Sequence, residues 1–172
     1  FTYSLALRKQ NGNHILLTGF YKSITIKAKE KERMKGMKDV DCIFCKIANG
    51  EIPSATVYED EDFRVILDLG PATKGHALVL PNEHWANLFE LPDEVAQKGI
   101  LVAKKVAGKL RDALGCDGFN IVQNNGTAAG QTVFHFHIHL IPRYENDQAG
   151  ISWTPGTLTE EDKKEILSKM DA

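Results

Sequence analysis

The segment VFHFHIHLIPR, residues 133–143, decides the fold, because its polar and apolar residues alternate with the period of a β-strand. Successive side chains of a strand point to opposite faces of the sheet. The pattern therefore predicts that His135, His137 and His139 share one face. The other face is predicted to point into the core and to consist of Phe134, Phe136, Ile138 and Leu140.

The histidine row has three possible functions: three ligands on one metal, a pH-sensitive surface, or a catalytic set with separate tasks. Same-face neighbours on a strand lie about 6–7 Å apart, so all three rings cannot easily reach one ion without distorting the strand. One histidine in a metal site, with the others free, is the easier geometry. A free imidazole is largely neutral at pH 7 and can attack phosphorus or exchange protons.

Short, well-separated elements surround this segment. Strands are predicted at 56–60, 62–69, 76–81, 118–125 and 133–142. A long amphipathic helix is predicted between Pro92 and Gly115, a short helix in CIFCKIAN, and a last helix over 160–170 behind a Thr159/Asp162 cap. This order predicts an α+β domain, with an antiparallel sheet of about five strands, one long helix packed on it, and a short C-terminal helix.

The composition is that of a soluble globular domain, with 172 residues, 42 % hydrophobic and 26 % charged. No apolar run approaches the roughly 18 residues of a membrane span, so we expect a cytoplasmic protein without a membrane partner. Residues 1–40 hold nine Lys/Arg and three Asp/Glu, against twelve and twenty in 41–172. We interpret 1–40 as a basic extension, either a flexible tail or an annotation artefact, and predict no nucleic-acid partner.

The cysteines favour a metal site. Three cysteines are too few, and odd in number, for a disulfide framework, so Cys42 and Cys45 are interpreted as a metal or redox pair. Zinc takes about four soft or borderline ligands in a tetrahedron. His84, after the third strand, and His135 are the histidines whose positions suit the remaining two places. Cys116 is interpreted as a small apolar residue near the end of the long helix.

A loop of small residues precedes the histidine row. Gly126, Gly130, Gln131 and Thr132 offer backbone amides and short polar groups that suit phosphate oxygens. A plain turn between two strands is the alternative interpretation.

Taken together, NNGTAAGQTVFHFHIHLIPR resembles the signature of the histidine triad (HIT) superfamily, His-x-His-x-His-x-x with x apolar, behind Gly-Gln-Ser/Thr. The likeness extends in order through CIFCKIANGEIPS and DLGPATKGHALVLPNEH, over about residues 41–143. The resemblance implies a HIT-like fold over 41–172, including the tail helix, and a homodimer whose two sheets join. It also implies a purine nucleotide substrate, and a structural zinc bound by Cys42, Cys45, His84 and His135.

The resemblance assigns catalytic roles to positions that match the family pattern. His137 matches the histidine that attacks phosphorus and forms a covalent nucleotidyl-histidine, which water then cleaves. His139 matches the one that contacts phosphate and helps handle the leaving-group proton. His76 matches a further histidine that orients the others, and Thr132 matches a contact to the phosphate and leaving group.

The resemblance also implies substrate-binding positions. Gln131 matches a phosphate contact, Asp68 the acidic residue that binds ribose hydroxyls, and Asn124 an asparagine of the nucleotide pocket. Leu69 and Phe44 are expected either to line the base site or to belong to the core.

Departures from the family pattern bear on the substrate. The nucleotidyl transferases carry glutamine where this chain has His139, which favours hydrolysis over transfer. Trp153-Thr154-Pro155-Gly156 is only an imperfect version of the tail found in phosphoramidate hydrolases. We therefore expect a nucleoside phosphoramidate hydrolase releasing AMP or GMP. The alternatives are a dinucleoside polyphosphate hydrolase and a zinc-stabilised nucleotide-binding or scaffolding protein.

Overall fold

One antiparallel sheet organises the chain in the computed structural model, which describes residues 38–170. The elements in chain order are α1 Ile43–Ala48, β1 Thr56–Glu59, β2 Phe63–Leu67, β3 Ala77–Pro81, α2 Asp93–Leu114, β4 Gly118–Val122, a 3-10 turn Thr127–Ala129, β5 Ile138–Arg143 and α3 Glu160–Met170. The strands lie in the order β1-β2-β3-β5-β4 in the sheet, and each neighbouring pair is antiparallel. The α+β prediction is confirmed. The predicted extension over 1–40 falls almost wholly outside the described residues.

Helix α2 covers one face of the sheet and confirms the long-helix prediction. Pro92 precedes it, and Gly115 ends it in the left-handed conformation at φ 62°, which glycine adopts without steric cost. The helix packs on β3, β4 and β5. Its buried residues are Gly99, Val102, Ala103 and Val106. In the last turn of the helix Ala113 is exposed, and Leu114 is the partly buried residue.

The central strands are buried on both faces, which the sequence pattern missed in β2. A strand with a single buried face would leave Ile66 exposed opposite Phe63 and Val65, yet all three side chains are buried. Ile66 packs in a second cluster under α1, together with Ala48, Leu78 and Leu80. Helix α1 therefore makes the opposite face of the sheet a second apolar layer.

Strand β5 begins five residues later than predicted, at Ile138 instead of 133. Its pairing with β3 ends at Val79 opposite Ile138. Continued pairing would place Pro81 opposite Phe136, but proline has no N–H to donate to the ladder. Residues 133–135 bend instead, which leaves Phe134 52 % exposed and makes its predicted core position wrong.

The last helix confirms its predicted bounds. The Thr159 hydroxyl donates to the Asp162 carboxylate at 2.7 Å and accepts from the Asp162 N–H at 3.1 Å, an N-terminal cap. None of its residues is buried. Among residues 38–170, no helix is both long and apolar enough to cross a bilayer.

Candidate functional site

A cluster of two thiols and two imidazoles lies at the start of α1. Cys42 directly precedes the helix and Cys45 lies in its first turn, so one helical turn brings the two sulfur atoms together. His84 follows β3, and the bend before β5 carries His135 to the same place. All four ligand atoms lie within 4.8 Å of one another.

The spacing of these atoms fits a tetrahedral ion. Cys45 Sγ lies 3.3 Å from His84 Nδ1 and 3.5 Å from His135 Nδ1, and Cys42 Sγ lies 3.6 Å from His135 Nδ1. Zinc bonds of about 2.3 Å to sulfur and about 2.0 Å to nitrogen place S and N about 3.5 Å apart in a tetrahedron. The donor set and its spacing therefore suit zinc.

The tautomer of His135 also suits a metal ligand. His135 is fully buried, and the distance of 3.1 Å between its Nε2 and the Pro81 carbonyl oxygen requires an N–H at Nε2. Nδ1 therefore carries the lone pair and faces the sulfur atoms. Burial lowers the pKa of His135 to about 4 and raises the pKa of Cys45 to about 11. A bound cation would offset this penalty on the thiolates.

His137 presents a lone pair to a cavity. Its Nδ1 lies 2.6 Å from the carbonyl oxygen of His135, which only accepts hydrogen bonds, so Nδ1 carries the proton and Nε2 is unprotonated. The ring is 5 % exposed and packs edge-on against Phe44, with centroids 5.1 Å apart. Burial lowers the pKa of His137, which favours the neutral ring.

His76 and His139 form a directed hydrogen-bond chain. The backbone N–H of Ala72 donates to His76 Nδ1 at 3.0 Å, so the proton of a neutral His76 sits on Nε2. That Nε2 lies 3.0 Å from His139 Nδ1, which must accept, and His139 therefore carries its proton on Nε2. Burial lowers the pKa of His76, and burial with the neighbouring histidines lowers that of His139 to about 4.

A cavity of about 350 Å³ opens between α1 and the sheet, and three of the four catalytic candidates line it, whereas His76 lies behind His139. Thr132, His137 and His139 form its polar part, and Asp68 and Leu69 belong to the same lining. Leu69 is 98 % exposed in the single chain and so has no core role. The apolar part is lined by Ile43, Phe44, Ile47, Ile52, Ile66, Leu67 and Leu78.

Two predicted binding residues lie elsewhere. Gln131 is 2 % exposed, and its amide holds the loop: Nε2 donates to the Ala86 and Val133 carbonyl oxygens at 2.6 and 3.0 Å, and Oε1 accepts from Gly126 N–H at 2.8 Å. Asn124 does not belong to the cavity lining. The contacts of both residues with a nucleotide stay predictions.

Sequence reasoning missed most of the apolar lining. Ile43 and Ile47 lie one turn apart on α1, and Ile66 and Leu78 face them from adjacent strands. The available signal was the unbroken apolar run Val65–Leu67, which is typical of a strand covered on both faces. Thr73, which anchors the loop before His76, was also missed, and no motif marked it.

Known proteins match the part of the sequence that forms this sheet and the histidine row. The family profile described as the HIT domain matches residues 49–146. The chain belongs to the HIT family. It is 39 % identical over 138 residues to the adenosine 5′-monophosphoramidase of Saccharomyces cerevisiae, covering 77 % of this chain and 85 % of that protein. It is 44 % identical over 107 residues to an adenylylsulfatase of Arabidopsis thaliana, covering 62 % of this chain and 54 % of that protein.

Solved HIT structures share the fold. A protein of Streptococcus mutans matches with a TM-score of 0.75 and 41 % identity over 79 % of this chain and 87 % of that chain. A zinc-bound histidine triad protein of Mycobacterium smegmatis matches with a TM-score of 0.62 and 38 % identity over 76 % of this chain and 96 % of that chain. HIT-family membership and the five-stranded antiparallel fold are thus confirmed.

Proposed function

We propose that this HIT protein is a hydrolase that cleaves a substituted α-phosphate of a purine nucleotide. The first substrate class is a nucleoside phosphoramidate, with AMP or GMP as product. The observation that carries the proposal is the tautomer of His137, whose Nδ1–H is held by the His135 carbonyl at 2.6 Å while the ring lines the cavity. An oriented imidazole lone pair at the wall of this cavity is an activated nucleophile.

In the first step, His137 Nε2 attacks phosphorus, and the bond from phosphorus to the amine nitrogen breaks. The ring becomes positively charged as the new phosphorus–nitrogen bond forms, and the His135 carbonyl stabilises the remaining Nδ1–H. The amine leaves with one additional proton. Because neutral His139 carries a single ring proton, it donates a hydrogen bond to phosphate or the leaving group, and the transferred proton comes from solvent.

In the second step, a water oxygen attacks the phosphorus of the nucleotidyl-histidine. The bond from phosphorus to His137 Nε2 breaks, and the neutral ring is restored. One water proton passes to solvent, and the nucleoside monophosphate leaves. Thr132, which lines the cavity beside both histidines, is placed to contact phosphate oxygens in both steps.

The cavity suits a nucleoside. Its apolar part between α1 and the sheet can hold a flat base, with Phe44 beside the His137 ring. The carboxylate of Asp68 belongs to the same lining, and its Oδ1 accepts from the Gly70 N–H at 2.9 Å, which keeps it oriented. We assign this carboxylate to the ribose hydroxyls.

The names of two relatives support cleavage at the α-phosphate, with two different leaving groups. The yeast relative is named for an adenosine phosphoramidate and the Arabidopsis relative for adenylylsulfate. Both names describe cleavage at a substituted adenosine 5′-phosphate. Amine and sulfate leaving groups are therefore the first pair to compare, with dinucleoside polyphosphates as a third class.

The test measures AMP release from adenosine phosphoramidate, adenylylsulfate and a diadenosine polyphosphate. Turnover of the first is expected to be highest, and His137→Gly is expected to lower it by at least about 10³-fold while AMP still binds. Ile166→Ala on the exposed helix α3 is the control and should retain full turnover. Unchanged turnover in His137→Gly would refute the mechanism. Absence of turnover on all three substrates would favour a nucleotide-binding or scaffolding role.

We propose that zinc occupies the cluster of Cys42, Cys45, His84 and His135 as a structural ion. The support is the spacing of the ligand atoms and the zinc-bound relative. When bound, the ion cross-links the start of α1, the end of β3 and the bend before β5. This orients the His135 carbonyl, which in turn holds His137.

We propose a homodimer that joins the two sheets along β4. This strand is one edge of the sheet, and its Ile121 is 46 % exposed. Leu101, 64 % exposed on α2, and Phe134 add to the apolar surface of the domain. Light scattering of Ile121→Glu, on β4 itself, is expected to give a monomer, whereas Ile166→Glu, on the exposed helix α3, should leave the dimer intact. A monomeric wild-type protein would refute this assignment.

A further inference from the structure

Thr73 is a buried threonine outside the cavity lining, and its hydroxyl binds the backbone of β5. It is 9 % exposed, and its Oγ1 donates to the carbonyl oxygen of Pro142 at 2.5 Å. At the end of the ladder opposite to Val79 and Ile138, the last pair of β3 with β5 is Ala77 with Leu140. Pro142 lies two residues beyond this pair. The hydroxyl therefore supplies the donor that β3 no longer provides.

This bond anchors the short loop that carries Ala72 to His76. The N–H of His76 donates to the Thr73 carbonyl at 3.1 Å, closing the turn. The Ala72 N–H, one residue before Thr73, donates to His76 Nδ1 at 3.0 Å. The attachment of Thr73 to β5 therefore helps to fix the Ala72 N–H relative to the His76 ring, together with the Tyr144 hydroxyl, which donates to the Lys74 carbonyl oxygen at 2.9 Å.

The donor matters because a competing acceptor lies nearby. Asp68 Oδ2 is 3.6 Å from the same Nδ1 of His76. If the Ala72 N–H moved away, Asp68 would favour the tautomer with its proton on Nδ1. His76 Nε2 would then accept, His139 Nδ1 would donate, and His139 Nε2 would carry a lone pair instead of a proton.

We propose that Thr73 is a positioning residue that sets the direction of the hydrogen-bond chain from Ala72 through His76 to His139. This proposal rests on the proposed function and deepens it. The direction of the hydrogen-bond chain determines whether His139 offers an N–H or a lone pair to the phosphate. The residue touches neither substrate nor reacting atoms. Its effect passes through the loop.

The test compares Thr73→Val, which keeps the side-chain shape and removes the donor, with Thr73→Ser, which keeps the hydroxyl. Ring-nitrogen chemical shifts of the ¹⁵N-labelled full chain report the tautomers of His76 and His139. The wild-type protein and Thr73→Ser should show protonated Nε2 on both rings. Thr73→Val should show a mixture, with kcat for the phosphoramidate lowered roughly tenfold and KM nearly unchanged.

Two further variants separate positioning from a merely structural role. Thr159→Val removes a threonine hydroxyl that caps α3 away from the site and should change neither tautomers nor kcat. Asp68→Asn in the Thr73→Val background removes the competing carboxylate and should restore protonated Nε2 on His76. A Thr73→Val protein of lower thermal stability but unchanged tautomers and kcat would overturn the proposal. The tautomer measurement decides this even if no substrate is turned over, so failure of the proposed function is distinguishable.

Discussion

Replacing Gly75 by alanine places a methyl group where the end of α2 closes over the loop before His76. Gly75 has φ +88°, and a Cβ built on it would clash with Leu114 Cδ1 and lie 3.2 Å from Pro142 Cγ. The left-handed backbone costs an L-residue about 1–2 kcal/mol. Displacing the Leu114 side chain costs about 1–2 kcal/mol more. We therefore expect Gly75→Ala to lower the free energy of unfolding by about 2–4 kcal/mol.

A double-mutant cycle separates the two contributions. Leu114→Ala removes the clash but not the backbone strain, so Gly75→Ala should cost only about 1–2 kcal/mol in that background. Urea unfolding of the four proteins, followed by circular dichroism, gives each free energy. Gly108→Ala is the control, because its added Cβ meets nothing within 4 Å. Strictly additive effects would refute the close approach of the loop to α2.

Three other predictions concern the metal, pH and the loop before the histidines. The purified wild-type protein and Cys116→Ser should each contain one zinc per chain by metal analysis. Cys45→Ser should contain none and unfold at least about 10 °C lower; retained zinc would exclude the assigned ligand set. Because the pKa of His139 falls to about 4 in the fold, the unfolded chain binds more protons below pH about 6.5. The free energy of unfolding should therefore decrease as the pH falls from 6.5 towards 4. The decrease should be about 2 kcal/mol larger in the wild-type protein than in His139→Gln. Equal pH dependence of the two proteins in urea unfolding would contradict this. Gln131→Ala should cost about 2–4 kcal/mol of unfolding free energy, because two carbonyls and one N–H lose their partner; a loss below about 1 kcal/mol in the same assay would show that the amide does not hold the loop.

The long helix and the last helix were predictable because their signals are local. Pro92 and Gly115 mark the ends of α2, and the Thr159/Asp162 cap marks the start of α3. Each depends on residues within one or two turns of the boundary. The limits of β5 were not predictable in this way, because they depend on its pairing with β3, which is distant in the sequence and contains a proline at Pro81.

The candidate site shows the same division. Motif spacing proposed the four metal ligands, and the structure brings their donor atoms within 4.8 Å. Motif spacing did not indicate that Gln131 holds the loop through its side-chain amide. All three of its hydrogen-bond partners are backbone groups that the fold brings to it. A glutamine next to a glycine in the sequence looks the same in either role.

The sequence by itself determined the α+β class and the long helix, since each depends on residue type and spacing along the chain. It also proposed the metal-ligand set from the same spacing and separate tasks for the three histidines from the family resemblance. Only the tertiary structure decided the direction in which His76 and His139 donate, and which nitrogen of His137 is unprotonated. These depend on the Ala72 N–H and the His135 carbonyl. Backbone groups are the same at nearly every residue, so their effect on a ring arises only from where the fold places them.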